Sequence, residues 1–177
     1  LIQLKIENFA LIEIIEINFE KGLNIFTGDS GSGKSLILDS LNVLFGGTKI
    51  PLKHLIRPGK DHCVIEAKFS SSFQINKWLI SKGFESSFSE LKIQRKSYRK
   101  NNKVLSKYSL NNLSINKQIL EELGRLLIDF AGQSDTFIFD SLDKRRLIID
   151  DLCSQEFKDT SAKIKNIWGE SEVLKQL

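Results

Sequence analysis

The chain has 177 residues, 41% of them hydrophobic, and a net charge of +4, which fits one ordinary domain with a genuine core and argues against wholesale disorder. No apolar run approaches the roughly 20 residues that cross a bilayer, and residues 1–8 lack the basic and long apolar regions of a secretory signal. Two cysteines, Cys63 and Cys153, have no partners at zinc-finger spacing, which argues against a disulfide scaffold or a structural zinc and for a reduced, cytoplasmic setting.

Residues 1–9 alternate, with Ile2, Leu4 and Ile6 opposing Gln3, Lys5 and Glu7, and this predicts a half-buried strand. Residues 11–19 repeat the pattern less strictly, so the two segments read as an antiparallel hairpin. After Gly22, residues 23–27 (Leu-Asn-Ile-Phe-Thr) read as a short strand entering a glycine-rich turn. Apolar residues at Leu36, Ile37, Leu41, Val43, Leu44 and Phe45, followed by Gly46-Gly47, predict a helix over 35–45 with a glycine stop. Residues 48–61 hold both prolines, Pro51 and Pro58, and read as a loop. A strand follows at 64–69, and a short amphipathic helix at 75–81 ends at Gly83. Strands at 91–98 and 104–109 flank Lys100-Asn101-Asn102-Lys103, where two asparagines suit a tight turn. Ser114 is positioned to cap a helix running to about Arg125, residues 126–130 read as a buried strand, and residues 143–152 as a helix. Residues 157–177 carry a loose heptad of Phe157, Ile164, Ile167 and Leu174, as at the start of a coiled coil.

Charge is distributed unevenly. Residues 51–110 carry 13 basic and 4 acidic side chains, whereas the segments before and after are net acidic. Lys92, Arg95, Lys96, Arg99, Lys100, Lys103 and Lys107 fall in the predicted second hairpin, with no acid between Leu91 and Leu120. Only this region has the charge to meet a polyanion such as DNA, through sequence-blind phosphate contacts. The competing reading is a solvated lysine-rich hairpin.

One motif carries chemistry. Gly28-Asp29-Ser30-Gly31-Ser32-Gly33-Lys34-Ser35 matches GxxxxGK[ST], the phosphate-binding loop, between a predicted strand and a predicted helix. The glycines let the backbone turn its N–H groups toward phosphate oxygens, and the helix start adds its positive end. Lys34 is placed for β- and γ-phosphates and Ser35 for Mg²⁺, so a nucleotide's phosphates with Mg²⁺ are the expected ligand. Among the other reactive side chains, His54 and His62 read as loop residues, Cys63 as a small core residue, and Asp129 as a structural carboxylate in an apolar strand.

Leu4-Lys5-Ile6-Glu7-Asn8-Phe9, the second strand, and Gly22 to Gly28 leading into the phosphate loop together resemble the amino-terminal head of SMC-like ATPases. Asn8-Phe9-Ala10-Leu11-Ile12-Glu13, and Glu122-Leu123-Gly124 through Leu127-Ile128-Asp129-Phe130-Ala131-Gly132-Gln133, are similar to the RecN branch of that group, which serves DNA repair and recombination. The resemblance implies an α/β P-loop NTPase fold of ABC/SMC type, with a mixed sheet, an antiparallel edge hairpin and the start of a coiled-coil arm. It implies half of a head over 1–152 and the arm over 153–177. It also implies that the nucleotide is ATP and that Gln133 is a Q-loop glutamine, touching Mg²⁺ and the attacking water. Asp29 stands where the group has Glu, and Ala131, Ser134 and Asp135 replace a histidine-containing stretch.

No Leu-Ser-Gly-Gly signature and no apolar strand ending in Asp-Glu occurs; Leu147-Ile148-Ile149-Asp150-Asp151 comes nearest. The chain therefore reads as an amino-terminal fragment or truncated product that binds ATP and barely hydrolyses it alone. Its expected partners are the carboxy-terminal half of the head, a second head and DNA, in a cytoplasmic, nucleoid-associated setting. The rivals are a self-contained P-loop enzyme, a non-hydrolysing DNA-tethering module, and another ABC-type ATPase of DNA metabolism.

Overall fold

In the computed structural model, the described residues are 1–29, 31, 33–47, 50–84, 88–101, 103–130, 153, 157, 159–161, 163–164 and 167–168, with the side chains of 52 and 53 excepted. They fall into two units, 1–129 and 130–177. Six strands of the first unit form one sheet: β1 (Gln3–Phe9), β2 (Ile12–Asn18), β3 (His62–Ser70), β4 (Glu90–Lys100), β5 (Lys103–Leu110) and β6 (Leu113–Ile115). Their order is β2-β1-β3-β4-β5-β6, antiparallel throughout.

Period-two alternation divides the sheet into two faces. Leu4, Ile6, Cys63, Ile65, Ala67, Leu91, Ile93 and Leu110 are buried on one. Lys5, Glu16, Glu66 and Gln94 lie in line across the other. Asparagines close two of the hairpins. Asn101 (φ 50) turns β4 into β5, and Asn111 (φ 46) and Asn112 (φ 69) turn β5 into β6, the left-handed geometry that tight hairpins require. Asn111 also ties its turn to the neighbouring strand, because its Oδ1 accepts from the Lys92 N–H at 2.7 Å.

Four helices complete the unit: α1 (Lys34–Leu44), the one-turn α2 (Leu52–Leu55), α3 (Phe73–Ser81) and α4 (Lys117–Leu127). The Ser72 hydroxyl caps α3 by accepting from Ile75 N–H at 3.3 Å. Gly83 (φ 89) ends the helix in a left-handed turn, where the Phe84 N–H returns to the Leu79 carbonyl at 3.1 Å. Leu41, Leu44, Leu79, Leu120 and Leu123 bury fully or nearly so, each contributing about 1.5–3 kcal/mol. The Phe45 and Phe69 rings meet at 5.8 Å and fasten the end of α1 to β3.

Both predicted hairpins are present, as are helices at the two earlier predicted positions. Four expectations need correction. Residues 23–27 form no strand; Leu23 is 86% exposed and Ile25 73%. An apolar strand of that kind needs a ladder partner on each side, and none is found among the described residues. Residues 126–130 are not a strand either. Leu126 and Leu127 finish α4, because the helical spacing of Leu120, Leu123 and Leu127 continues through them. The cap of α4 is Asn116, whose Oδ1 accepts from Ile119 N–H at 2.8 Å; Ser114 instead lies in β6, opposite Ser109. The 48–61 loop contains the short α2 and an Ile56 bridge to Phe9. The helix expected over 143–152 lies outside the described residues. In the second unit, Phe157, Ile164, Ile167 and Trp168 are helical and exposed.

Candidate functional site

The chain leaves β2 at Asn18 and reaches α1 through an exposed segment that contains the glycine-rich loop. Three of its glycines carry the conformations the motif demands: Gly28 at φ 151, Gly31 at φ 86 and Gly33 at φ 93. A Cβ at Gly31 or Gly33 would meet nothing within 4 Å, so backbone dihedral, not crowding, requires glycine there. Gly33 is the N-cap of α1, with no side-chain cap bond. Within its first turn, the Leu36 N–H donates to the Gly33 carbonyl at 3.0 Å. Lys34 Nζ donates to the Gly28 and Asp29 carbonyls at 2.5 and 2.6 Å, which holds the ammonium against the loop's own backbone. Ser35, the next helical residue, is exposed.

Gly28, Asp29, Gly31 and Ser35 are exposed, and Gly33 and Lys34 are half-buried. Ser30, Ser32 and Gln133 lie outside the described residues. The donor set suits a polyphosphate: N–H groups of a left-turning loop, a helix start, a primary ammonium and a hydroxyl. A magnesium ion accompanying it would take the Ser35 oxygen. Around the loop, Leu23, Ile25, Phe26 and Leu38 are exposed by 86, 73, 43 and 60%, an unusual density of uncovered apolar side chains.

The basic hairpin divides by face, which charge counting did not reveal. Arg95 is only 5% exposed and does not belong to an outer surface. Its Nε donates to Ser106 Oγ at 3.2 Å, its Nη1 to the Val43 carbonyl at 2.5 Å, and it lies 5.5 Å from the Tyr108 ring. Burial pulls its pKa below the ordinary value, opposed by Tyr108 and Cys63. The negative C-terminal end of α1 compensates the buried charge. Lys96 and Lys107 are exposed, and Lys92 pairs with Glu66 at 3.1 Å. Of the remaining candidates, His62 meets Glu7 at 3.3 Å, Asp129 is exposed, not set in a strand, and Cys63 is a buried core residue. Burial pushes the Cys63 thiol up to about 12.

Residues 3–177 match the family described as AAA domain. DNA repair protein RecN of Synechocystis sp. is 38% identical over 137 residues, 77% of this chain and 23% of that protein. RecN of Rickettsia typhi is 32% identical over 168 residues, 93% of this chain and 29% of that protein. The chain spans about a quarter of the length of these curated relatives. Among solved structures, the Smc head domain of Pyrococcus furiosus, with an extended coiled coil and bound to the C-terminal domain of ScpA, superposes with a TM-score of 0.64 at 21% identity. That match covers 98% of this chain and 47% of the other. A chain from work on ATP-driven dimerization and DNA-stimulated activation of SMC ATPases gives 0.60 at 24% identity, covering 86% and 98%. The expected RecN resemblance and the ABC/SMC-type P-loop architecture are both borne out. No helix of the described residues is long and apolar enough to cross a membrane.

Proposed function

The chain belongs to the AAA-domain family, and from that premise we propose that it is the ATP-binding amino-terminal half of a RecN-like head acting in DNA double-strand-break repair and recombination. The observation that carries this reading is the glycine-rich segment before α1, with Gly28, Gly31 and Gly33 at positive φ and Lys34 folded onto the Gly28 and Asp29 carbonyls. In ATP binding, the loop amides and the α1 N-terminus take the phosphate oxygens, and Lys34 leaves its carbonyl partners for the β- and γ-phosphates. Ser35 Oγ would ligate Mg²⁺, which would supply charge neutralisation at the phosphates. Gln133 would hold the metal and the attacking water, as expected of a Q-loop glutamine. Each of these groups orients and stabilises charge, and none forms a covalent bond.

The apolar side chains uncovered around the loop support the reading of a half-head, completed by the carboxy-terminal half and paired with a second head. The chain alone then binds ATP and turns it over poorly. DNA is met through the basic hairpin, in a cytoplasmic, nucleoid-associated setting. A self-contained P-loop enzyme would need a second acidic motif, for which the sequence offers no match.

The test is Mg·ATP binding and turnover by the chain and by Lys34→Ala. Loss of a charge-assisted phosphate contact predicts roughly 10- to 150-fold weaker binding, with negligible turnover in both proteins. Robust turnover by the unmodified chain would overturn the half-site reading. Equal binding by the two proteins would remove Lys34 from the site.

A further inference from the structure

The strand register sets lysines directly opposite one another three times on the open face of the sheet. Lys68 on β3 faces Lys92 on β4, Lys96 on β4 faces Lys107 on β5, and Lys100 faces Lys103 beside the turn. Like charges at directly opposed positions destabilise a sheet. The same face avoids that arrangement one strand away, where Lys5 lies between Glu16 and Glu66 and pairs with Glu16 at 2.9 Å. Among the described residues the three pairs receive little compensation. Lys92 reaches Glu66 at 3.1 Å and Lys107 lies 5.8 Å from the Tyr98 ring, while Lys68, Lys96, Lys100 and Lys103 have no ion pair. Stability does not account for three such pairs, whereas a bound polyanion does.

We infer that these three cross-strand lysine pairs, on the open face of β3, β4 and β5, form the docking surface for the sugar-phosphate backbone of duplex DNA. The pairs recur every four residues along β4, about 13 Å, close to the roughly 12 Å width of the major groove. Two successive pairs can therefore meet the phosphates that border one groove. Lysines on flexible stems, with no hydrogen-bonding fork aimed at base edges, give contacts that position without reading sequence. Arg95, of the same hairpin, takes no part, because it lies on the covered face. The inference rests on the DNA clause of the proposed function and specifies the surface, its residues and its insensitivity to sequence.

The experiment measures affinity for a short mixed-sequence DNA duplex as a function of salt, using the whole chain. It compares the unmodified protein with Lys68→Gln/Lys92→Gln, Lys96→Gln/Lys107→Gln, the four substitutions combined, and a control Lys21→Gln/Lys77→Gln away from this face. Each lost phosphate contact should reduce the log–log salt slope by about 0.9, so the combined variant should lose about 2 to 4 from its slope while the control loses none. Relief of like-charge repulsion predicts that the face variants melt at the same or a higher temperature at low salt, which separates lost binding from lost folding. An unchanged slope in the combined variant, with the unmodified chain binding well, would overturn this surface and leave the DNA clause standing. Failure of the unmodified chain to bind duplex would overturn both.

Discussion

Arg95 sits in the most basic stretch of the sequence, yet packing has made it a core residue. Its guanidinium bridges α1 and β5 by donating to the Val43 carbonyl and the Ser106 hydroxyl. Truncation would strand that carbonyl and open a cavity, so Arg95→Ala should cost about 2–4 kcal/mol in urea unfolding. Arg95→Lys should recover little, because an ammonium lacks the planar fork. Cys63 makes a pH-dependent counterpart. Its thiol is held up to about 12 from an ordinary value of 9.0, chiefly by burial. The unfolded chain therefore releases a proton that the folded chain retains between those values. This contribution to stability is intact below about pH 9 and declines as pH rises toward 12. Thermal unfolding across that alkaline range should fall less steeply in Cys63→Ala, and native Cys63 should resist alkylation until the chain unfolds. The core placement of Cys63 is the expected reading of that residue type, whereas the burial of Arg95, in a lysine-rich stretch, does not follow from residue type alone.

At the scale of elements, α1 and α4 meet through a glycine. A Cβ on Gly124 would lie 2.7 Å from Cγ and Cδ1 of Phe45 and 2.8 Å from its Cβ, too close for any real contact. Helix propensity alone favours alanine over glycine by about 1 kcal/mol, whereas overpacking a core costs about 1–3 kcal/mol. The near ends of the Phe45 side chain cannot swing aside, so packing wins and Gly124→Ala should lower the urea midpoint. Combining it with Phe45→Leu should recover part of the loss. The helices and hairpins were legible where local rules suffice: alternation in β1, β3 and β4, asparagines at tight turns, glycine after α1 and α3. Ser114 resembles a cap in sequence because three residues of β6 carry no periodicity of their own; their pairing with β5 exists only once the Asn111-Asn112 turn has formed. Residues 23–27 and 126–130 resemble strands in sequence because apolar composition says what a segment prefers, not whether a ladder partner is within reach.

For the molecule as a whole, the GxxxxGK[ST] motif, the family resemblance and the two antiparallel hairpins were determined by sequence. Each depends on short-range requirements: glycine where φ is positive, lysine and serine at the start of a helix, polar and apolar residues in alternation. The tertiary structure alone decided which basic residues face outward. It buried Arg95, brought Lys68 from a distant strand to stand against Lys92, and set Lys96 opposite Lys107. It also left the apolar residues around the loop uncovered. The physical reason is register. Which side chains oppose one another across a sheet, and which face is covered, depend on pairings between segments far apart in the chain, and a linear pattern of charge and hydrophobicity does not contain them.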